Sequence, residues 1–199
     1  MKRTSLTLAG GLATALMLVT APTAHATVKS SDLPSKGDIV KAFPDLADAE
    51  FTTDKAKTIN VVGKDCGTAA TQKAKSAVTT SGYSTTTQSL AVVGVAEVKN
   101  EAQAKGYLKT YKAYLKKCPT FTEPTSGATI TASKGKDPKL GDESMTVVQE
   151  TVVAGTTAYS TTVLVRDGKR LASVAVLDDA PVSASAIKKL AKVAAKKMK

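Results

Sequence analysis

The chain reads as an α+β protein: a twisted antiparallel sheet of five to six strands, flanked by about three helices and carrying one disulfide. Three observations predict this. Apolar residues recur at a period of about 3.6 in a few segments and at a period of two in most others. The period-two segments follow one another through short turns, which makes neighbouring strands antiparallel. Two cysteines, Cys66 and Cys118, lie downstream of an export signal, and an even pair in an oxidising compartment reads as a bond.

The export signal is at the start. Lys2 and Arg3 are followed by an apolar run from Leu6 to Val19, and Pro22 precedes Ala24-His25-Ala26, the small-x-small pattern cut by signal peptidase. The run is about 14 residues, short of the roughly 20 that span hydrocarbon. Residues 1–26 are therefore read as a signal peptide, 27–36 as a flexible leader and 37–199 as one domain. The expected product is secreted, without stable membrane insertion, and is either free or associated with the cell wall.

Along that domain, 38–43 predicts a short helix ended by Pro44, and 58–62 a short strand before Gly63. Cys66, Ala69, Ala70, Ala74, Ala77 and Val78 fall at i, i+3/i+4 intervals, which predicts a helix stopped at Ser81-Gly82. The β-branched stretch 83–98 reads as one long strand. From 101 to 117, Ala104, Tyr107, Leu108, Tyr111, Tyr114, Leu115 and Cys118 form a stripe opposite Lys105, Lys109, Lys112 and Lys116, and Pro119 ends that helix. A disulfide would then tie two helices together on one side of the sheet. Strand pieces at 120–122 and 129–132 flank a turn. A meander of 144–154, 157–166 and 169–177 follows, with Asp167-Gly168 as a strong hairpin signal. Ser183 or Ser185 caps a last helix bearing Ile187, Leu190, Ala191, Ala194 and Met198 on one face and lysines around the rest.

Composition narrows the chemistry. The net charge is +11, of which Lys2 and Arg3 contribute two. Beyond the signal the only arginines are Arg166 and Arg170, aromatic residues make up 4% of the chain, and Trp is absent. Arginine forks and stacking rings are the usual means of reading nucleic acid, so nucleic acid is a poor partner. A lysine-rich surface suits solubility or attraction to anionic cell-wall polymer or lipid headgroups. The single His, His25, leaves with the signal, which removes His-based nucleophilic triads and the commonest zinc ligand. Ser133/Lys136 and Ser185/Lys188 match Ser-x-x-Lys without the partner motifs that chemistry requires. Asp142-Glu143 and Asp178-Asp179 read as solvated turn residues rather than a glycosidase pair or a calcium loop. No cofactor, metal site or catalytic residue is expected.

The order of features resembles the extracellular sensor-domain family typified by the receptor part of the mycobacterial PknH kinase. The resemblance rests on Leu33-Pro34 and a short first helix, Cys66 opening an Ala-rich helix and Ser81-Gly82-Tyr83 entering a strand. It continues with a helix from Tyr107 that ends in Cys118, Gly141-Asp142-Glu143-Ser144 opening the meander, and Arg166-Asp167-Gly168 before the last strand. It covers most of 31–198. It implies a helix-flanked antiparallel sheet with a solvated cleft for an unidentified ligand. The chain departs from the kinase domain in having one cysteine pair where that domain has two, and in having no kinase part. The resulting expectation is a secreted, non-enzymatic sensor-like domain that binds a small molecule or an envelope component in a cleft. Tyr83, Thr85, Thr87, Tyr159 and Thr161 are its candidate ligand contacts. The alternative is a wall-associated protein that holds anionic polymer on its lysine-rich surface.

Overall fold

The computed structural model describes residues 28–199, so the segment read as an export signal lies outside the described residues. Three α-helices, α1 (Lys36–Ala42), α2 (Glu101–Lys117) and α3 (Ala184–Lys197), accompany eight strands. The strands are β1 (Glu50–Val62), β2 (Ala69–Tyr83), β3 (Leu90–Glu97), β4 (Thr120–Thr122), β5 (Thr129–Lys134), β6 (Glu143–Val153), β7 (Thr156–Asp167) and β8 (Arg170–Asp178). They form one sheet in the order β1-β2-β3-β8-β7-β6-β5-β4, and every neighbouring pair is antiparallel.

Eight strands replace the five to six expected, chiefly because of two segments. The Ala-rich stretch after Cys66 is not a helix but the first half of β2, paired residue by residue with β1 from Val62↔Ala69 to Glu50↔Tyr83 around one bulge. Alanine favours helix by under 1 kcal/mol per residue, and the ladder with β1, continued from Ser76 onward by a second ladder with β3, outweighs that preference. The expected single strand 83–98 is broken at residues 84–89, where Ser84 N–H bonds the Ser89 carbonyl and turns the chain back. Gly82, read as a helix stop, is a strand residue opposite Phe51.

Both faces of the sheet are covered. On one, α1 and α3 bury Ile39, Ile187, Leu190, Ala194 and Met198 against Val78, Val93, Val95, Val163, Val174 and Val176. On the other, α2 buries Ala104, Tyr107, Leu108, Tyr111 and Tyr114 against Ile59, Ala96, Met145, Leu164 and Leu171. This double coverage explains the nearly unbroken apolar run of β3, whose residues from Ala91 to Glu97 are all buried. Side-chain caps start the helices: Ser35 accepts from Asp38 N–H, Asn100 from Gln103 N–H and Ser183 from Ala186 N–H. Two residues of the segment read as a flexible leader pack against the sheet. Val28 and Leu33 are in the core, and Val28 N–H donates to Ser76 Oγ.

Cys66 and Cys118 are bonded, with Cα atoms 5.5 Å apart. The bond does not join two helices. Cys66 sits in the β1–β2 connection and Cys118 caps α2 immediately before β4. β1–β2 and β4 lie at opposite ends of the strand order, so the sheet curls around α2 until its ends approach. Close contact confirms the curl: Gly67 N–H donates to Tyr114 OH (3.0 Å), and a side chain on Gly67 would meet the Phe121 ring at 3.1 Å.

Candidate functional site

On the face carrying α3, the sheet extends past the helix. The gap between α3 and the β6–β7 wing forms a groove of about 190 Å³. Its floor is Thr146 and Val148 of β6 with Tyr159, Thr161 and Val163 of β7. Strand alternation puts these residues on one side, and the register Thr146↔Val163 and Val148↔Thr161 sets them shoulder to shoulder. One wall is Val182, Ile187 and Lys188 at the start of α3; the other is the loop Gly135 to Pro138.

Hydrogen bonds hold that loop to β6. Gly135 N–H donates to the Thr146 carbonyl, Thr146 N–H to Asp137 Oδ1 and Thr146 Oγ1 to the Lys136 carbonyl, at 2.9, 3.0 and 3.0 Å. The loop passes so close that a Cβ on Gly135 would lie 2.8 Å from a Thr146 methyl. Asp137 is further engaged by Lys134 at 2.8 Å. Thr161 is 6% exposed, yet neither its hydroxyl nor that of Tyr159 has a hydrogen-bond partner among the described residues. Val148 is 36% exposed, a large apolar side chain left open on the groove floor. Lys136 and Lys188 are exposed at its rims and form no ion pair among the described residues.

The five sequence-predicted contacts are divided between different places. Tyr159 and Thr161 come together in the groove. Thr87 lines a neighbouring open hollow of about 590 Å³ bounded by Asp45, Ser89, Asp178 and Val182. There its hydroxyl donates to the Asp45 carbonyl at 2.9 Å, which serves the β2–β3 turn. Tyr83 and Thr85 line neither space: Tyr83 OH bonds Gln88 Oε1, and the Thr85 carbonyl accepts from Gln88 Nε2. The groove contacts missed in the sequence, Val148, Val182, Ile187 and Lys188, come from segments whose approach depends on the tertiary fold. The one local signal was the apolar doublet Val147-Val148, which leaves no polar face on that stretch of β6.

A larger open cleft of about 730 Å³ lies at the far end of α3, lined by Lys99, Lys169, Arg170 and Lys199. Carboxylates already occupy most of its cations: Lys169 meets Glu97 at 2.8 Å, Arg170 meets Glu97 at 3.8 Å and Lys199 meets Asp167 at 3.7 Å. The acids read as solvated turn residues also have a fold role. Asp142 and Glu143 hold the nearly buried Arg166 at 2.8 and 3.5 Å. The Gly168 N–H and then Arg166 keep the Asp142 carboxyl below its ordinary range, and Lys112 does the same for Glu143. Among the described residues there is no cluster of three or more His, Cys, Asp or Glu able to hold a metal, and no helix long and apolar enough to cross a membrane.

With this geometry in view, one solved structure bears on the fold. The chain is similar to the crystal structure of the extracellular domain of PknH from Mycobacterium tuberculosis, with a TM-score of 0.51 and 12% identity over 85% of this chain and 92% of that one. At that identity the likeness is one of fold. No family model matches the chain, and no curated protein does.

Proposed function

We propose that this chain is an exported, non-enzymatic, sensor-like domain that binds a small molecule or a piece of an envelope component in the α3/β6–β7 groove. The observation that carries the reading is the Thr161 hydroxyl, which opens onto the floor of a mostly apolar groove and has no hydrogen-bond partner among the described residues. A binding site is typically a mostly apolar concavity with a few polar groups left free to fix orientation. At about 190 Å³ the space is smaller than the roughly 300–1,000 Å³ of drug-sized sites, so it suits a small ligand or one end of a longer one. The likeness in fold to the extracellular domain of PknH and the export signal expected from the sequence both support binding outside the cell.

The test is native mass spectrometry of protein recovered from its secreting host, compared with Thr161→Trp, which fills the groove. A discrete added mass that survives moderate salt and is missing from the variant supports the reading. An added mass carried equally by both proteins sinks it.

A second reading has its own support. α3 contains no acidic residue, and Lys188, Lys189, Lys192 and Lys196 are exposed along it without ion pairs among the described residues. That strip suits anionic wall polymer, and binding of this kind should vanish between low and high ionic strength.

A further inference from the structure

The charge at the rims of the groove narrows what it takes. Its interior is apolar on most sides: Val148 and Val163 below, Val182 and Ile187 on one wall, Pro138 on the other. The rims carry two ammonium groups, from Lys188 in the second turn of α3 and Lys136 in the latched loop. The single carboxylate between them, Asp137, is already bound by Lys134 and the Thr146 N–H, so it cannot also neutralise both rim lysines. Below the rims, the Thr161 hydroxyl can still donate or accept.

We infer that the ligand is an anionic amphiphile: a short apolar body lying on Val148, Val163 and Ile187, with an acid group, carboxylate or phosphate monoester, between Lys136 and Lys188. A neutral ligand of the same shape would leave both cations without a counter-charge. A cationic one would be repelled. The α3 strip beyond Lys188, with Lys189 and Lys192 exposed, extends the same positive field and raises the local concentration of anions at the entrance.

This inference rests on the groove being the binding site, and the experiment separates the two. Isotope-labelled protein is titrated with hexanoate, hexyl phosphate and the neutral hexanamide, and amide shifts are followed at 135–137, 159–163 and 182–188. The expected result is saturable shifts there, with at least one acid bound fivefold or more tighter than hexanamide. That preference should disappear in the Lys136→Gln/Lys188→Gln variant, whose substitutions lie at exposed positions and spare the core. Equal binding of acid and amide would leave the groove as a site and overturn the anion preference. Absence of shifts with all three probes at tens of millimolar would overturn both.

Discussion

The ring of Phe51 lies across the backbone of Gly82, its partner on the neighbouring strand, so closely that a Cβ on Gly82 would sit 2.5 Å from the ring edge. Lys36 Nζ lies 5.6 Å from the centre of the same ring. The aromatic side chain supplies the packing that glycine lacks, and the glycine admits the ring. Gly82→Ala should therefore destabilise the protein by about 1–3 kcal/mol through overpacking. The loss should shrink in Phe51→Ala/Gly82→Ala relative to the sum of the single variants, because the clash has been removed. Denaturant melts of the four proteins check this, and strict additivity would refute the contact.

Replacing both cysteines by serine should cost about 4 kcal/mol, the loop-closure value for a 52-residue separation. The loss should be accompanied by faster amide exchange in the β1–β2 connection, the end of α2 and β4, which the bond holds together. Uniformly faster exchange across the protein would argue against a local staple.

Glu123, in the β4–β5 turn, accepts from the Ser126 hydroxyl and from the N–H groups of Ser126 and Thr125, which lowers its carboxyl to about 2. A carboxyl depressed in the folded state stabilises the fold above its unfolded value near 4.5, and that contribution is lost as pH falls toward 2. A side-chain carbon titration should give a midpoint near 2, and Glu123→Gln should flatten the stability profile in this window. A midpoint near 4.5 would mean the turn contacts do not form.

Thr146 and Thr161 offer a controlled pair. Both lie on the groove floor and both are nearly buried, but Thr146 Oγ1 donates to the Lys136 carbonyl whereas the Thr161 hydroxyl has no hydrogen-bond partner among the described residues. Thr146→Val should cost about 1 kcal/mol, and Thr161→Val should leave stability unchanged or slightly raised. Thermal melts of the two variants decide it; an equal loss in both would show that Thr161 serves the fold.

Much of the architecture can be read locally. The 101–117 stripe, the meander with its turn near Asp167-Gly168 and the capped last helix all have patterns strong enough to stand without tertiary help. The β1–β2 ribbon does not. Its outer halves, 50–55 and 69–75, are mostly exposed on both faces, so no apolar alternation marks them, while Ala69, Ala70, Ala74 and Ala77 mimic a helical face. What makes them strands is the other half of the opposite strand, 50–55 against 78–83 and 69–73 against 58–62, across a turn whose position Cys66 does not reveal. The groove was half legible for a related reason. Tyr159 and Thr161 share a strand face and can be paired from sequence, but Val148, Val182 and Lys188 reach them only through the sheet register and the seat of α3. Tyr83, Thr85 and Thr87 read as exposed strand polarity and are in fact the end of a strand and a tight turn.

The bond from the β1–β2 connection to the end of α2 also decides how the molecule would respond to being pulled. β2, β3 and α2 lie inside a covalent hoop, whereas β1 and everything from β4 onward lie outside it, so tension applied at the chain ends bypasses those three elements. Stretched to breaking, the oxidised protein would stop about 170 Å short of its reduced contour length, since each of the 52 enclosed Cα–Cα steps is worth ~3.4 Å and the bond itself spans 5.5 Å. Under such tension β2 and β3 would leave the sheet only together with α2, as one closed ring.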